Sequence, residues 1–178
     1  YTLERLVYRY AEGRFVPAAM AIPERSNGKA VVWTGGPASR AFSEGSDPDR
    51  LAGLGYTVLA IDAFGRGEAA PEWRAYSEAW FGRAEKLAWL GLMVGRPLMG
   101  LRLEDISAGV DLLEKEGRAP KGIVGFGKGV GAVEMLHAAF LDPRVTALAL
   151  EDMLLSYHAF ATAPIHRQLF DVVLPRVL

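Results

Sequence analysis

Ile123-Val124-Gly125-Phe126-Gly127-Lys128-Gly129-Val130-Gly131 is the stretch on which the fold turns. Apolar at its start and carrying glycine at every second position from 125, it reads as a buried strand, a sharp turn and the first residues of a helix. Val130, Val133, Leu136 and Phe140 carry that helix onward at helical spacing, and Val145 to Leu150 returns as a strand. Upstream, Leu103, Ile106, Val110 and Leu113 recur at the same spacing with Glu104, Asp105, Asp111 and Glu114 between them. Gly117 and Pro120 close this earlier helix before a strand over Gly122 to Val124.

The same alternation extends toward the start of the chain. Thr2 to Tyr10 and Phe15 to Ile22 are β-favouring runs around Ala11-Glu12-Gly13-Arg14, a hairpin signal. Ala30 to Trp33 and Tyr56 to Ile61 are short continuous apolar runs, as strands buried on both faces require. Between them Asp47 reads as the cap of a helix with Pro48 in its first turn and Gly55 as its stop. This order predicts a three-layer α/β/α domain on a mostly parallel sheet with right-handed crossovers. The whole chain, 1–178, reads as one domain, with 65–100 as a cap or excursion carrying Trp73, Trp80 and Trp89.

Composition limits the partners. The chain has 178 residues and is 51% hydrophobic, enough for one buried core. Its 20 basic and 21 acidic residues give a net charge of -1, so it lacks the basic field that holds a nucleic acid backbone. It has no cysteine, hence no disulfide, thiolate metal site or cysteine nucleophile. No two histidines stand at ligand spacing with a nearby carboxylate, so no metal site is expected. Leu87 to Leu101 is interrupted by Arg96 and Pro97 and falls short of the roughly 20 apolar residues of a spanning helix, so no membrane segment is expected. The opening on Tyr1 leads us to expect an upstream segment, a signal peptide among the readings, and leaves localisation open.

Two motifs fit the glycine run. Gly125 and Gly129 match the flanks of the G-x-S-x-G nucleophile elbow, which places Gly127 at the serine position. Alternatively, Gly127-x-Gly129-x-x-Ala132 fits the G-x-G-x-x-A dinucleotide fingerprint, with Glu151 at the distance of a ribose-binding acid and NAD or NADP as the ligand. Against the second stands its place in the chain, since such a fingerprint ordinarily opens its sheet.

With the elbow, three further features resemble the α/β-hydrolase fold, and within it the acetyl xylan esterase and dienelactone hydrolase-like enzymes. They are Trp33-Thr34-Gly35-Gly36 after the third strand, Asp62-Ala63-Phe64-Gly65-Arg66-Gly67-Glu68 after the fourth, and Leu141-Asp142-Pro143-Arg144-Val145 before the sixth. The resemblance covers Thr2 to Tyr157. It implies hydrolysis of a small ester or an acylated carbohydrate without a cofactor, and a secreted or periplasmic setting. It implies that the N–H groups of Gly36 and Lys128 hold the oxyanion, Lys128 being the residue after the nucleophile position. Gly127 has no hydroxyl with which to form an acyl-enzyme, so weak or absent hydrolysis is expected. The family places its acid and histidine after later strands, which would lie beyond Leu178. The strand Val145 to Leu150 would then be an exposed edge, completed by a C-terminal partner segment or by a second copy of the chain.

The remaining candidates have plainer readings. His137, His158 and His166 read as packed or surface residues, and Ser39, Ser43, Ser107 and Ser156 do not lie on strand-to-helix turns. Asp62 ends a parallel strand, where ligand-facing residues collect, but reads first as the cap of the turn made by Gly65 and Gly67.

Overall fold

The structure, a computed structural model, describes residues 1–11, 13–72, 82–162 and 169–172. In chain order it contains β1 (Thr2–Ala11), β2 (Arg14–Ile22), β3 (Ala30–Thr34), α1 (Asp47–Gly53), β4 (Thr57–Ile61), α2 (Arg83–Met93), α3 (Leu98–Lys115), β5 (Ile123–Lys128), α4 (Val130–Leu141), β6 (Val145–Glu151), α5 (Tyr157–Thr162) and α6 (Leu169–Val172). The strands form one sheet in the order β1-β2-β4-β3-β5-β6. The β1–β2 hairpin and the β2–β4 pair are antiparallel, and β4, β3, β5 and β6 run parallel. Every residue of β3 and β4 is buried, which is why these strands read as unbroken apolar runs.

Two apolar layers sandwich the sheet. On one face Met20, Val32, Leu59 and Ile61 pack with Ile106, Val110 and Leu113 of α3 and Met135 and Ala138 of α4. On the other, Val31, Trp33, Val58, Ala60 and Phe126 pack with Ala52 of α1. Gly109 lets α3 approach the sheet closely, since a Cβ there would lie 3.1 Å from the Tyr8 hydroxyl and 3.2 Å from Leu59 Cδ2.

Two local readings are corrected. The cap of α1 is Ser46, not Asp47: its hydroxyl accepts the Asp49 N–H at 3.3 Å, while Asp47 and Pro48 occupy the first turn. β5 does not end at Val124. It continues to Lys128, because its ladders with β3 and β6 carry on through Gly127. Of the tryptophans in the expected cap, Trp89 lies half exposed on α2, while Trp73 and Trp80 fall outside the described residues. Under α2, Phe64, Leu87, Leu90 and Met93 line an apolar cavity of about 310 Å³.

Candidate active site at the carboxyl ends of β3 and β5

The chain leaves β3 toward β4 on one side and returns to β5 on the other, so the strand order reverses between β3 and β5. In an open α/β sheet the crevice beyond the carboxyl ends at such a reversal is where ligands bind. Both strands end there in glycine: Gly35 and Gly36 follow Thr34, and Gly127, Gly129 and Gly131 surround the passage from β5 into α4.

The turn falls at Gly129. With φ 60° and ψ -124° it forms the single joint between the last residue of β5 and the first of α4. Gly127 lies inside β5, opposite Thr34 and Leu150, and is not among the residues with positive φ. The sharp turn expected at Gly127 is therefore two residues further on. Steric space agrees. A Cβ at Gly127 would collide with Ala132 Cα and stand 2.5 Å from the Gly131 carbonyl oxygen, and one at Gly131 would collide with the Thr34 carbonyl oxygen. A Cβ at Gly129 would meet nothing within 4 Å. The flanks must be glycine so that backbones can touch, whereas the middle position opens into free space.

Neighbouring groups fix this turn. The Thr34 hydroxyl donates to the Gly131 carbonyl oxygen at 2.9 Å, and the Gly129 N–H donates to the Glu151 carbonyl oxygen at 2.8 Å. Val130, as the first residue of α4, has an N–H with no acceptor inside the helix. The residue after the turn is thus Val130 and not Lys128, whose backbone belongs to β5 opposite Glu151. The Lys128 ammonium lies 3.1 Å from the Glu151 carboxylate and 3.9 Å from that of Asp152. Its bond to Glu151 pushes the lysine above its ordinary range, which makes it a fixed cation rather than a base. Asp152, with φ 53°, is the one non-glycine described residue with positive φ.

Asp62 joins the two loops beside the crevice. Its carboxylate accepts the N–H of Ala38, after β3, at 2.8 Å and that of Glu68, after β4, at 2.9 Å. Gly67 is required beneath it, because a Cβ there would occupy the place of the carboxylate. This is the capping role read from the sequence, extended to a second loop.

A buried ion network behind the turn was not singled out in the sequence. Glu134, on α4 and 0% exposed, receives Arg102 of α3 at 3.0 Å and Arg66 of the β4 loop at 2.7 Å. Arg102, 1% exposed, also donates to Asp171 of α6 at 2.7 Å and to the Phe64 carbonyl oxygen at 3.0 Å. These partners tie the first turns of α4 to three other segments. Glu134 and Arg102 look like surface charges in amphipathic helices, and only the absence of a polar stripe around Glu134 in the apolar α4 could have signalled burial.

No histidine among the described residues stands free at the turn. His137 Nδ1 is 2.7 Å from the Val133 carbonyl oxygen and Nε2 is 3.2 Å from the Tyr157 hydroxyl, His158 is exposed on α5, and His166 lies outside the described residues. A cavity of about 460 Å³ lies along the α3–α4 groove and reaches Asp142 and Val145 at the amino end of β6, the opposite end of the sheet from Gly129. Among the described residues no group of acids and histidines could hold a metal ion, and no helix is long and apolar enough to cross a membrane.

No family model matches the sequence, and no curated protein matches it. Solved structures do. A candidate acetyl xylan esterase from Bacteroides fragilis superimposes with a TM-score of 0.67 at 17% identity, covering 82% of this chain and 43% of that one. A cold-adapted esterase from an Arctic intertidal metagenomic library gives 0.59 at 21%, covering 83% and 59%. An esterase from Pyrococcus furiosus gives 0.57 at 16%, covering 83% and 50%. The fold is of the α/β-hydrolase type. The chain spans roughly half the length of the structures it matches.

Proposed function

We propose that this chain carries the acyl-ester site of an α/β-hydrolase-fold esterase with glycine at the nucleophile position, and that this position is Gly129. One observation carries the reading: the strand-to-helix joint is a single positive-φ residue with open space on its Cβ side, between two glycines that admit no Cβ. That is the geometry of a G-x-S-x-G elbow in the frame Gly127-x-Gly129-x-Gly131. The esterase names of its structural neighbours support a carboxylic ester, a small ester or an acylated carbohydrate, as the substrate class. In this frame the oxyanion donors are the N–H groups of Gly36 and Val130. A working triad would draw its acid and base from outside the described residues, and glycine at 129 offers no hydroxyl for an acyl-enzyme, so hydrolysis is weak or absent. The dinucleotide reading is served less well, because the acid it needs, Glu151, is engaged by Lys128.

A single introduced cysteine tests this without a catalytic base, since a thiol is a few per cent thiolate near neutral pH and strongly nucleophilic. With no native cysteine, the Gly129→Cys variant has one thiol. Its thiolate attacks the acetyl carbonyl of p-nitrophenyl acetate, the oxyanion collapses, p-nitrophenolate leaves and an acetyl thioester remains. The expected result is a burst of one equivalent, at least about tenfold faster than for Ser43→Cys on an exposed loop, since each oxyanion donor is worth about 10² or more in rate. Equal rates at the two positions would remove the reading.

A further inference from the structure

Asp62 is buried, 1% exposed, yet it forms no ion pair among the described residues. A carboxylate so placed is costly unless hydrogen bonds replace the water it has lost. It accepts from the N–H groups of two different loops, Ala38 at 2.8 Å and Glu68 at 2.9 Å. A cap for the turn after β4 would need only the second. The first reaches 24 residues back along the chain, to the loop that carries Gly36.

That loop is loose at its start. Gly35 and Gly36 have no Cβ to restrict them, and they lie over the Trp33 indole: a Cβ at Gly35 would come 2.6 Å from its Cζ2, and one at Gly36 would come 3.4 Å from its Cη2. Gly36, Pro37, Ser39 and Arg40 are exposed, and Ala38 among them is buried. Pro37, whose ring holds φ at -63°, passes the anchoring of Ala38 back to Gly36. Asp62 is itself fixed at the end of β4, where its N–H donates to the Pro17 carbonyl oxygen of β2 at 2.9 Å. The other donor of the proposed acyl site is referenced to the same β4 loop. Between Asp62 and Glu68, Arg66 holds both carboxylate oxygens of Glu134, at 2.7 Å and 2.9 Å, on the helix that begins at Val130.

We infer that Asp62 is a positioning residue of the acyl site: it keeps the Gly36 N–H in register with the Val130 N–H by fastening the loop after β3 to the loop after β4. The inference rests on the acyl site proposed above. Oxyanion donors act by being fixed in advance where charge develops, and a misplacement of about 1 Å can cost about 10²-fold in rate. Two acceptor oxygens are what the tie requires. Asparagine has one oxygen and an NH₂, so it can meet one of the two N–H groups and must turn a donor toward the other. Whichever way it turns, the tie is cut and the shape of the side chain is kept.

The test compares two reactions of the single thiol in Gly129→Cys, with and without Asp62→Asn. With p-nitrophenyl acetate the thiolate builds an oxyanion before p-nitrophenolate leaves. With iodoacetamide it displaces iodide, the S–C bond forming as the C–I bond breaks, and no oxyanion arises. Asp62→Asn is expected to slow acetylation at least about tenfold and to leave alkylation unchanged. A residue that only supports the fold would move both or neither. If acetylation and alkylation fall together, or if acetylation keeps its rate, the inference is overturned and the acyl site stands. If Gly129→Cys is acetylated no faster than Ser43→Cys, both are removed. Circular dichroism melts show whether Asp62→Asn folds. Should it not, Arg66→Met decides, because it unties the same loop from α4 with Asp62 in place: the same selective loss supports the tie, and any other pattern overturns it.

Discussion

At the scale of single residues, the glycine run does two jobs that its spacing cannot separate. Because glycine recurs at 125, 127, 129 and 131, the elbow pattern fits in two frames, and the sequence shows no preference between them. The cue that distinguishes them is strand length. Ending β5 at Val124 leaves a three-residue strand, well below the usual five or six, whereas the frame centred on Gly129 lets it reach Lys128. Steric demand then differs sharply among the three positions. Gly129→Ala costs about 1–2 kcal/mol, the penalty for a side chain at positive φ. Gly127→Ala and Gly131→Ala force a Cβ into backbone atoms of Ala132 and Thr34 and cost more than about 3 kcal/mol. Urea-unfolding midpoints should rank wild type, Gly129→Ala, then the other two. A Gly127→Ala as mild as Gly129→Ala would return the turn to the earlier frame.

At the scale of elements, strands and helices were legible wherever an apolar period ran uninterrupted, as in β3, β4, α3 and α4. What joins one element to another was not legible. Asp62 links two loops through backbone N–H groups that leave no sequence signature. Arg102 and Glu134 meet only because α3 and α4 pack side by side on one face of the sheet, a tertiary fact beyond the reach of helical periodicity. Their burial makes them costly to separate, since removing one partner strands the other charge in an apolar interior. Glu134→Ala should therefore lose about 3–5 kcal/mol, and thermal melting checks it. Ser46→Ala, which removes only the α1 cap, should lose about 1 kcal/mol. If Glu134→Ala costs no more than Ser46→Ala, the network is not holding α3 and α4 together.

At the scale of the whole molecule, two aspartates of opposite tendency shape its response to acid. Asp142 is paired through both carboxylate oxygens with Arg144, at 2.6 Å and 2.8 Å, and Arg144 holds it below the ordinary carboxylate range. Its folded form is thus the easier to ionise. The stability it contributes is present above the unfolded value of about 3.9 and disappears as pH falls through the folded value beneath it. Asp105 is buried, and burial raises it although Tyr10, Arg14 and the Phe64 N–H all donate to its carboxylate. For a raised carboxyl the sign is reversed: stability is greatest below the unfolded value and is lost as pH rises through the folded one. On acidification from neutrality, protonation of Asp105 first offsets losses elsewhere, and protonation of Asp142 then adds to them. Urea midpoints measured between neutral pH and pH 3 separate the two contributions. Arg144→Met should flatten the fall below pH 4, by about 1 kcal/mol given that the pair is partly exposed. Asp105→Asn, which cannot take up the offsetting proton, should make the decline begin at higher pH than in the wild type. If Asp105→Asn follows the wild-type curve in shape, the carboxylate is not resisting ionisation, and its three donors outweigh the burial that raises it.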